Sequence, residues 1–202
     1  MNKTLKRALY GAVYVAIMWF GTSYSEFTFR LLFAIIGVLS LLEMWKLRKG
    51  RTSFISYLYI IIPLSLIYQI DDKELILFMF ILTWTFDTFA YLAGVKFGKH
   101  KILPSVSPKK SWEGFFGGFI FTIIASYLTY TYFDFESFKL PLIISIILPF
   151  TATIGDFTES YYKRQAGVKD SGKLIPGHGG ILDRMDAFMI TIPILYIFTK
   201  LI

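Results

Sequence analysis

Residues 160–186 read SYYKRQAGVKDSGKLIPGHGGILDRMD. The run is charged and rich in glycine, yet it stands between two apolar segments long enough to lie in a bilayer. Just before and within it, Asp156, Glu159, Ser160 and Lys163 fall at i, i+3, i+4 and i+7, which is one face of a helix. Asp183 and Asp186 at its far end are again i, i+3. Ionisable groups at membrane depth are costly to place, so carboxylates, cations and a glycine turn gathered this closely read as a functional site.

The rest of the chain fixes the setting. Of its 202 residues, 55% are hydrophobic and only 17% charged, with a mean hydropathy of +0.57. Nearly uncharged segments close to the length needed to cross about 30 Å of hydrocarbon recur along it. The expectation is an all-α, polytopic transmembrane bundle of about seven spans, forming one integral-membrane catalytic domain over 1–202. The spans are Leu9–Thr22, Phe27–Trp45, Phe54–Ile70, Leu75–Val95, Trp112–Phe133, Leu140–Phe157 and Ile181–Phe198. The first, with Lys3, Lys6 and Arg7 before it, also has the outline of a signal peptide, but no clean cleavage site follows, which favours a retained helix. Pro63, Pro141 and Pro193 mark kinks or helix starts, which membrane helices tolerate.

Charge alternates from loop to loop. Lys3, Lys6 and Arg7, then Lys46–Arg51, Lys96–Lys110 and Lys163–Lys173 together carry 16 of the 21 Lys and Arg. The positive-inside rule therefore puts the N-terminus and regions 83–114 and 156–186 on the cytoplasmic side. The net charge of +7 sits in these membrane-flanking loops, which points to lipid headgroups and nucleotide phosphates and away from nucleic acid. With no cysteine in the chain, disulfides, thiolate ligands and a thiol nucleophile are excluded.

Each polar group has a plain reading and a chemical one. Lys163 and Arg164 suit a helix end whose charges reach water; Asp156, inside the span, does not. Asp183 and Asp186, flanking Arg184, complement a helix dipole or supply hard oxygens to Mg²⁺. The Gly177-His178-Gly179-Gly180 turn before them favours an anion site built from backbone amides. His178 is a turn residue, a general base or a phosphate donor, and Lys169, Asp170 and Lys173 are a solvated loop face. Upstream, Thr83, Asp87, Tyr91 and Gly94 share one face of the fourth span. The loop from Lys96 to Lys110 is a positive-inside loop on its own terms. Glu113 beside it is a bare carboxylate that needs a partner or a metal, and Glu43 reads as an interfacial charge among lysines. An ion-coupled transporter built around Asp87 and Asp156 is the reading from another class, but the two related halves it requires are absent.

The pattern from Ser160 to Asp186, with TFDTFAYLAGVKFGK (Thr85–Lys99) and SPKKSWEG (Ser107–Gly114), resembles the signature of bacterial-type phosphatidate cytidylyltransferases, also called CDP-diacylglycerol synthases. The matched regions cover about 60 residues. Tyr162 and Ser111 depart mildly from the family pattern, and many bacterial members carry further N-terminal helices. The resemblance implies transfer of CMP from CTP to phosphatidate in phospholipid biosynthesis, in the bacterial inner (cell) membrane. It implies Mg²⁺ held by Asp156 and Asp183, with Asp186 in or next to that shell, and these three with Lys163 as catalytic groups. Ser160, Lys163 and Arg164 are implied as phosphate-binding groups. Lys169, Asp170, His178, Gly179, Gly180, Arg184, Asp87, Lys109, Lys110 and Glu113 complete the implied substrate-binding set. A monovalent cation such as K⁺ is associated with the fold, and a homodimer is compatible with it. The related alternative keeps the fold and changes the lipid, to an ether-lipid phosphate or a polyprenol.

Overall fold

A backbone immersed in hydrocarbon has to satisfy its own N–H and C=O groups, and the apolar runs of this chain do so as helices. The computed structural model describes residues 3–49, 54–133, 135–177 and 179–201. Arg51 and His178, both singled out by the sequence, lie outside the described residues. Helices α1 (Lys3–Ser23), α2 (Glu26–Leu47), α3 (Phe54–Leu66), α4 (Lys73–Phe97), α5 (Trp112–Thr129), α6 (Lys139–Gln165) and α7 (Leu182–Leu201) correspond one to one with the seven expected spans. Short 3₁₀ turns, Ile67–Gln69 and Tyr130–Phe133, extend α3 and α5.

Among the described residues, four helices are long and apolar enough to cross a membrane alone: α2, α4, α5 with its 3₁₀ extension, and α6. Residues 8–23 and 54–69 form shorter apolar helices. The bundle is that of a polytopic membrane protein. Pro63, Pro149 and Pro193 sit inside α3, α6 and α7, and Pro141 falls in the first turn of α6, where its missing N–H costs nothing.

Local sequence sets the helix starts. Ser25 and Thr28 exchange backbone-to-hydroxyl hydrogen bonds of 3.1 Å in a capping box ahead of α2. Asp72 accepts from the Leu75 amide at 3.1 Å ahead of α4, and Ser111 from the Gly114 amide at 3.2 Å ahead of α5.

Lipid tails give helices little hydrophobic reason to associate, so small residues and internal polar contacts decide the packing. The α4–α5 pair is the most extensive contact in the bundle. A Cβ at Gly114 would fall 2.7 Å from the Ala90 carbonyl oxygen, and one at Gly118 2.8 Å from that of Phe86. Helices α6 and α7 are joined by Thr151 and Thr191, whose hydroxyls lie 2.8 Å apart. At Gly155 the backbone of α7 approaches so closely that no side chain would fit. The Tyr59 hydroxyl from α3 lies 3.2 Å from the Gly155 carbonyl and 3.3 Å from that of Asp186, and donates there. The buried core, with Phe33, Ile76, Phe78, Phe80, Met185, Phe188 and Ile192 among its members, fills the space between α2, α4 and α7.

One boundary differs from the sequence reading. The sixth span was expected to end at Phe157, but α6 continues to Gln165. The polar residues beyond Phe157 have good helix propensity, and their inner face is buried against α7, so the helix does not stop where its hydrophobicity does.

Candidate active site

The extension of α6 puts Asp156, Glu159, Ser160 and Lys163 on consecutive turns. Lys163 turns inward. Its ammonium donates to Asp183 Oδ1 at 2.8 Å and pairs with Glu159, whose side chain is fully buried. Asp183 is saturated on its other oxygen: Oδ2 accepts from the Gly180 amide at 2.7 Å, the Ser171 amide at 2.8 Å and the Ser171 hydroxyl at 2.9 Å. Glu43 arrives from α2 and accepts from the Ile181 amide at 3.0 Å, the Leu182 amide at 2.9 Å and the Ser171 hydroxyl at 2.7 Å. It is only 7% exposed.

This arrangement changes the reading of the glycine turn. The amides of Gly180, Ile181 and Leu182, which the sequence offers to a phosphate, already point at protein carboxylates. Gly179 adopts φ +86°, a left-handed conformation that favours glycine, and its carbonyl accepts from the Ile175 amide at 2.9 Å, which closes the turn.

A second cluster lies on the outer side of α6. Asp156 pairs with Lys110 from the α4–α5 loop. Burial pushes the Lys110 ammonium below the usual lysine range, against the opposing pull of Asp186 and Asp87. The pair forms part of the wall of a cavity of about 650 Å³ between α4, α5, α6 and this loop. Asp87, Tyr91, Lys101, Lys109, Phe86 and Phe115 also face it, so the cavity has a basic rim and an apolar body. A smaller cavity of about 290 Å³ lies between α1, α4 and α7, lined by Tyr14, Trp84, Asp183, Arg184 and Asp186. Asp87 borders both. Among the described residues its carboxylate makes no hydrogen bond or ion pair, and it opens to the cavities.

The remaining predicted residues stand around these clusters. Glu113 accepts from the amides of Lys99 at 3.1 Å and His100 at 3.2 Å, and its Oε1 lies 2.6 Å from His100 Nδ1. The partner that the sequence demanded for it is this turn of the loop. Arg164 is exposed; its Nε donates to the Val106 carbonyl at 3.3 Å and its Nη1 to that of Val168 at 2.9 Å, which ties the two motif loops together. Ser160 is half-buried on α6, and Lys169 and Asp170 are exposed in the loop after it. Lys163, Ser160, Arg164, Lys169, Asp170 and Glu113 line neither of the two cavities.

Two regions far apart in sequence, one around Asp87–Gly114 and one around Asp156–Asp186, therefore converge on one polar centre. The model of the cytidylyltransferase family matches residues 68–202 of the chain. The chain belongs to the cytidylyltransferase family. Among curated members of that family, the phosphatidate cytidylyltransferase of Staphylococcus saprophyticus is 44% identical over 167 residues, covering 78% of this chain and 64% of that protein. That of Staphylococcus haemolyticus is 42% identical with the same coverage. That of Staphylococcus aureus is 41% identical over 161 residues, covering 75% of this chain and 62% of the relative. The chain thus spans less than two thirds of the length of these cytidylyltransferases. Glu43, which sequence reasoning took for an interfacial charge, precedes the matched region. The available signal was its position: a carboxylate near the C-terminal end of an apolar helix opposes the helix dipole and calls for donors from elsewhere.

Proposed function

We propose that the chain transfers CMP from CTP to phosphatidate, giving CDP-diacylglycerol and pyrophosphate, with its polar centre facing the cytoplasm of a bacterial cell membrane. The observation that carries this reading is the meeting of the Lys110–Asp156 pair with Asp87 at a cavity that is basic at its rim and apolar within. Such a cavity suits an anionic headgroup on a hydrocarbon body beside a triphosphate. The names of the relatives agree with it.

In the reaction, a phosphate oxygen of phosphatidate attacks the α-phosphorus of CTP. The bond from that phosphorus to the oxygen bridging to the β-phosphorus breaks, and pyrophosphate leaves with the electron pair. No enzyme nucleophile is needed, so catalysis rests on positioning and charge stabilisation. Lys109 and Lys101 at the rim attract the phosphates, and Lys110, held by Asp156, offers fixed positive charge beside them. Arg184 supplies a further cation at the smaller cavity.

The acids fit Mg²⁺, which takes hard oxygen ligands, typically one or two carboxylates plus substrate phosphates. Asp156 and Asp186 each keep one oxygen outside the contacts described, and Asp183 Oδ1 has a single partner. Among the described residues no three acidic or histidine side chains form a cage by themselves, so substrate phosphates would have to supply the remaining ligands. Asp156, Asp183 and Asp186 would hold the ion, and the chemistry it supplies is neutralisation of charge on the phosphates. Incubating the purified protein with labelled CTP and phosphatidate in mixed micelles tests the proposal. Labelled CDP-diacylglycerol is expected, with none after EDTA. Incorporation only into another lipid phosphate would overturn the substrate assignment.

Two further outcomes follow from the same reading. With cytoplasmic motif loops, single cysteines replacing the exposed Lys169 or Lys173 are expected to resist an impermeant thiol reagent in intact cells and to react in opened membranes. Labelling from outside would reverse the topology. Ser171 is unsuitable for this, because it is buried and hydrogen-bonded. Replacing Arg164 by Lys removes the forked contact between the two loops, and kcat/KM should fall by roughly two- to tenfold, the worth of about one hydrogen bond, at unchanged yield.

A further inference from the structure

The acid at position 43 has no role in the reaction as set out above, yet its surroundings are built for it. Its two oxygens take up the Ile181 and Leu182 amides at the start of α7 and the Ser171 hydroxyl. Two glycines of the signature loop, Gly172 and Gly180, stand where any Cβ would run into the Glu43 carboxylate. The loop is therefore small at these two positions because a side chain from α2 fills the space. Ser171 sits between two acids, with its oxygen 2.7 Å from Glu43 Oε2 and 2.9 Å from Asp183 Oδ2. Its single hydroxyl hydrogen can serve only one of them at a time, so the backbone amides carry the rest of the restraint.

We infer that Glu43 is a positioning residue for the site: by holding Ser171 and the first amides of α7, it fixes the direction in which Asp183 presents Oδ1. The inference rests on the cytidylyltransferase reading for its activity arm, but its structural arm does not. With Glu43 in place, the start of α7 is seated by an acid from outside that helix, and Ser171 is held where it also meets Asp183. Without it, the Ile181 and Leu182 amides and the Ser171 hydroxyl lose their acceptor, and the loop that presents the Ser171 and Gly180 amides to Asp183 Oδ2 loses its seat, so the carboxylate that meets Lys163 is no longer held in one direction. Partners that orient a ligating carboxylate typically matter by 10–100-fold in activity or metal affinity.

The test uses Glu43→Gln in the full chain in detergent, read three ways. Glutamine matches the volume but sets an amide N–H₂ against donors. Trypsin, which finds Lys169 and Lys173 exposed in the loop, is expected to cut there at least several-fold faster in the variant. Per folded molecule, kcat is expected to drop about 10- to 100-fold, with KM for CTP within about twofold and a higher Mg²⁺ requirement. As a check on variants that fold poorly, Gly172→Ala should impair the wild type strongly but cost much less in a Glu43→Ala background, where the colliding carboxylate is gone. An unchanged trypsin rate, or wild-type kcat and Mg²⁺ dependence in Glu43→Gln, or an undiminished Gly172→Ala penalty in the Glu43→Ala background, would overturn the inference. If the wild type made no CDP-diacylglycerol, the functional proposal would fail while the trypsin and double-variant stability readings still judged Glu43.

Discussion

Asp156→Asn and Asp183→Asn are each expected to lower turnover by at least roughly 10²-fold, as loss of a charged ligand to a catalytic ion does, but to differ in what they do to the fold. Asp156 is part of a cavity wall, with one partner, Lys110. Its asparagine variant should insert and unfold like the wild type. Asp183 has a lysine ammonium on one oxygen and three donors on the other. An amide N–H₂ placed on either side meets a donor, so this variant should also melt earlier. The four contacts on Asp183 set the two variants apart. Activity per folded molecule, paired with thermal unfolding in detergent, separates the cases. Near-normal turnover in both variants at ordinary Mg²⁺ would remove the metal assignment.

Lys163→Met is expected to be the most damaging single change to stability. It leaves the buried Glu159 and Asp183 without their shared cation, and breaking a buried pair from one side costs about 3–5 kcal/mol. Glu159 has no other donor to fall back on: among the described residues neither of its oxygens has a well-formed hydrogen bond. Removing that charge as well, in Lys163→Met with Glu159→Gln, should recover a substantial part of the loss. Lys163→Arg keeps the charge but needs more room than two close carboxylates leave, so it should fall between wild type and Lys163→Met. A Lys163→Met protein with wild-type melting behaviour would mean that Lys163 is a surface cation after all.

In both cases the outcome depends on where a side chain turns, which local sequence does not decide. The helices were legible because apolar runs bounded by charged loops leave few alternatives in a bilayer. The i, i+3, i+4, i+7 stripe from Asp156 to Lys163 was legible because helical spacing is local. The direction a polar side chain takes was not. Lys163 looked like a cation reaching for water because it follows the apolar part of α6, and only the return of α7 makes its inward path favourable. The glycine turn before Asp183 looked like a phosphate cradle because nothing in the sequence says that Glu43, on another helix, takes its amides. Glu113 showed the reverse: its need for a partner was plain, and the identity of that partner, the turn at Lys99 and His100, depended on how the loop closes.

The tight seam between α4 and α5 has a mechanical consequence. Where Gly114 and Gly118 meet the carbonyls of Ala90 and Phe86 the two backbones pack with no side chain between them, so these helices stand as one closely joined wall on one side of the larger cavity. Thr153 and Asp156 on α6 form part of the opposite side. Any widening to admit a bulky guest must come from α6 or from the 98–111 loop, and because Lys110 and Asp156 pair across them, either displacement disturbs that carboxylate. Guest size and acid placement are geared together: a molecule too wide for the gap moves Asp156 out of register, whereas one of the right girth leaves it aligned. Selectivity for the shape of the occupant would then be exerted through the Lys110–Asp156 pair itself and not through a separate filter.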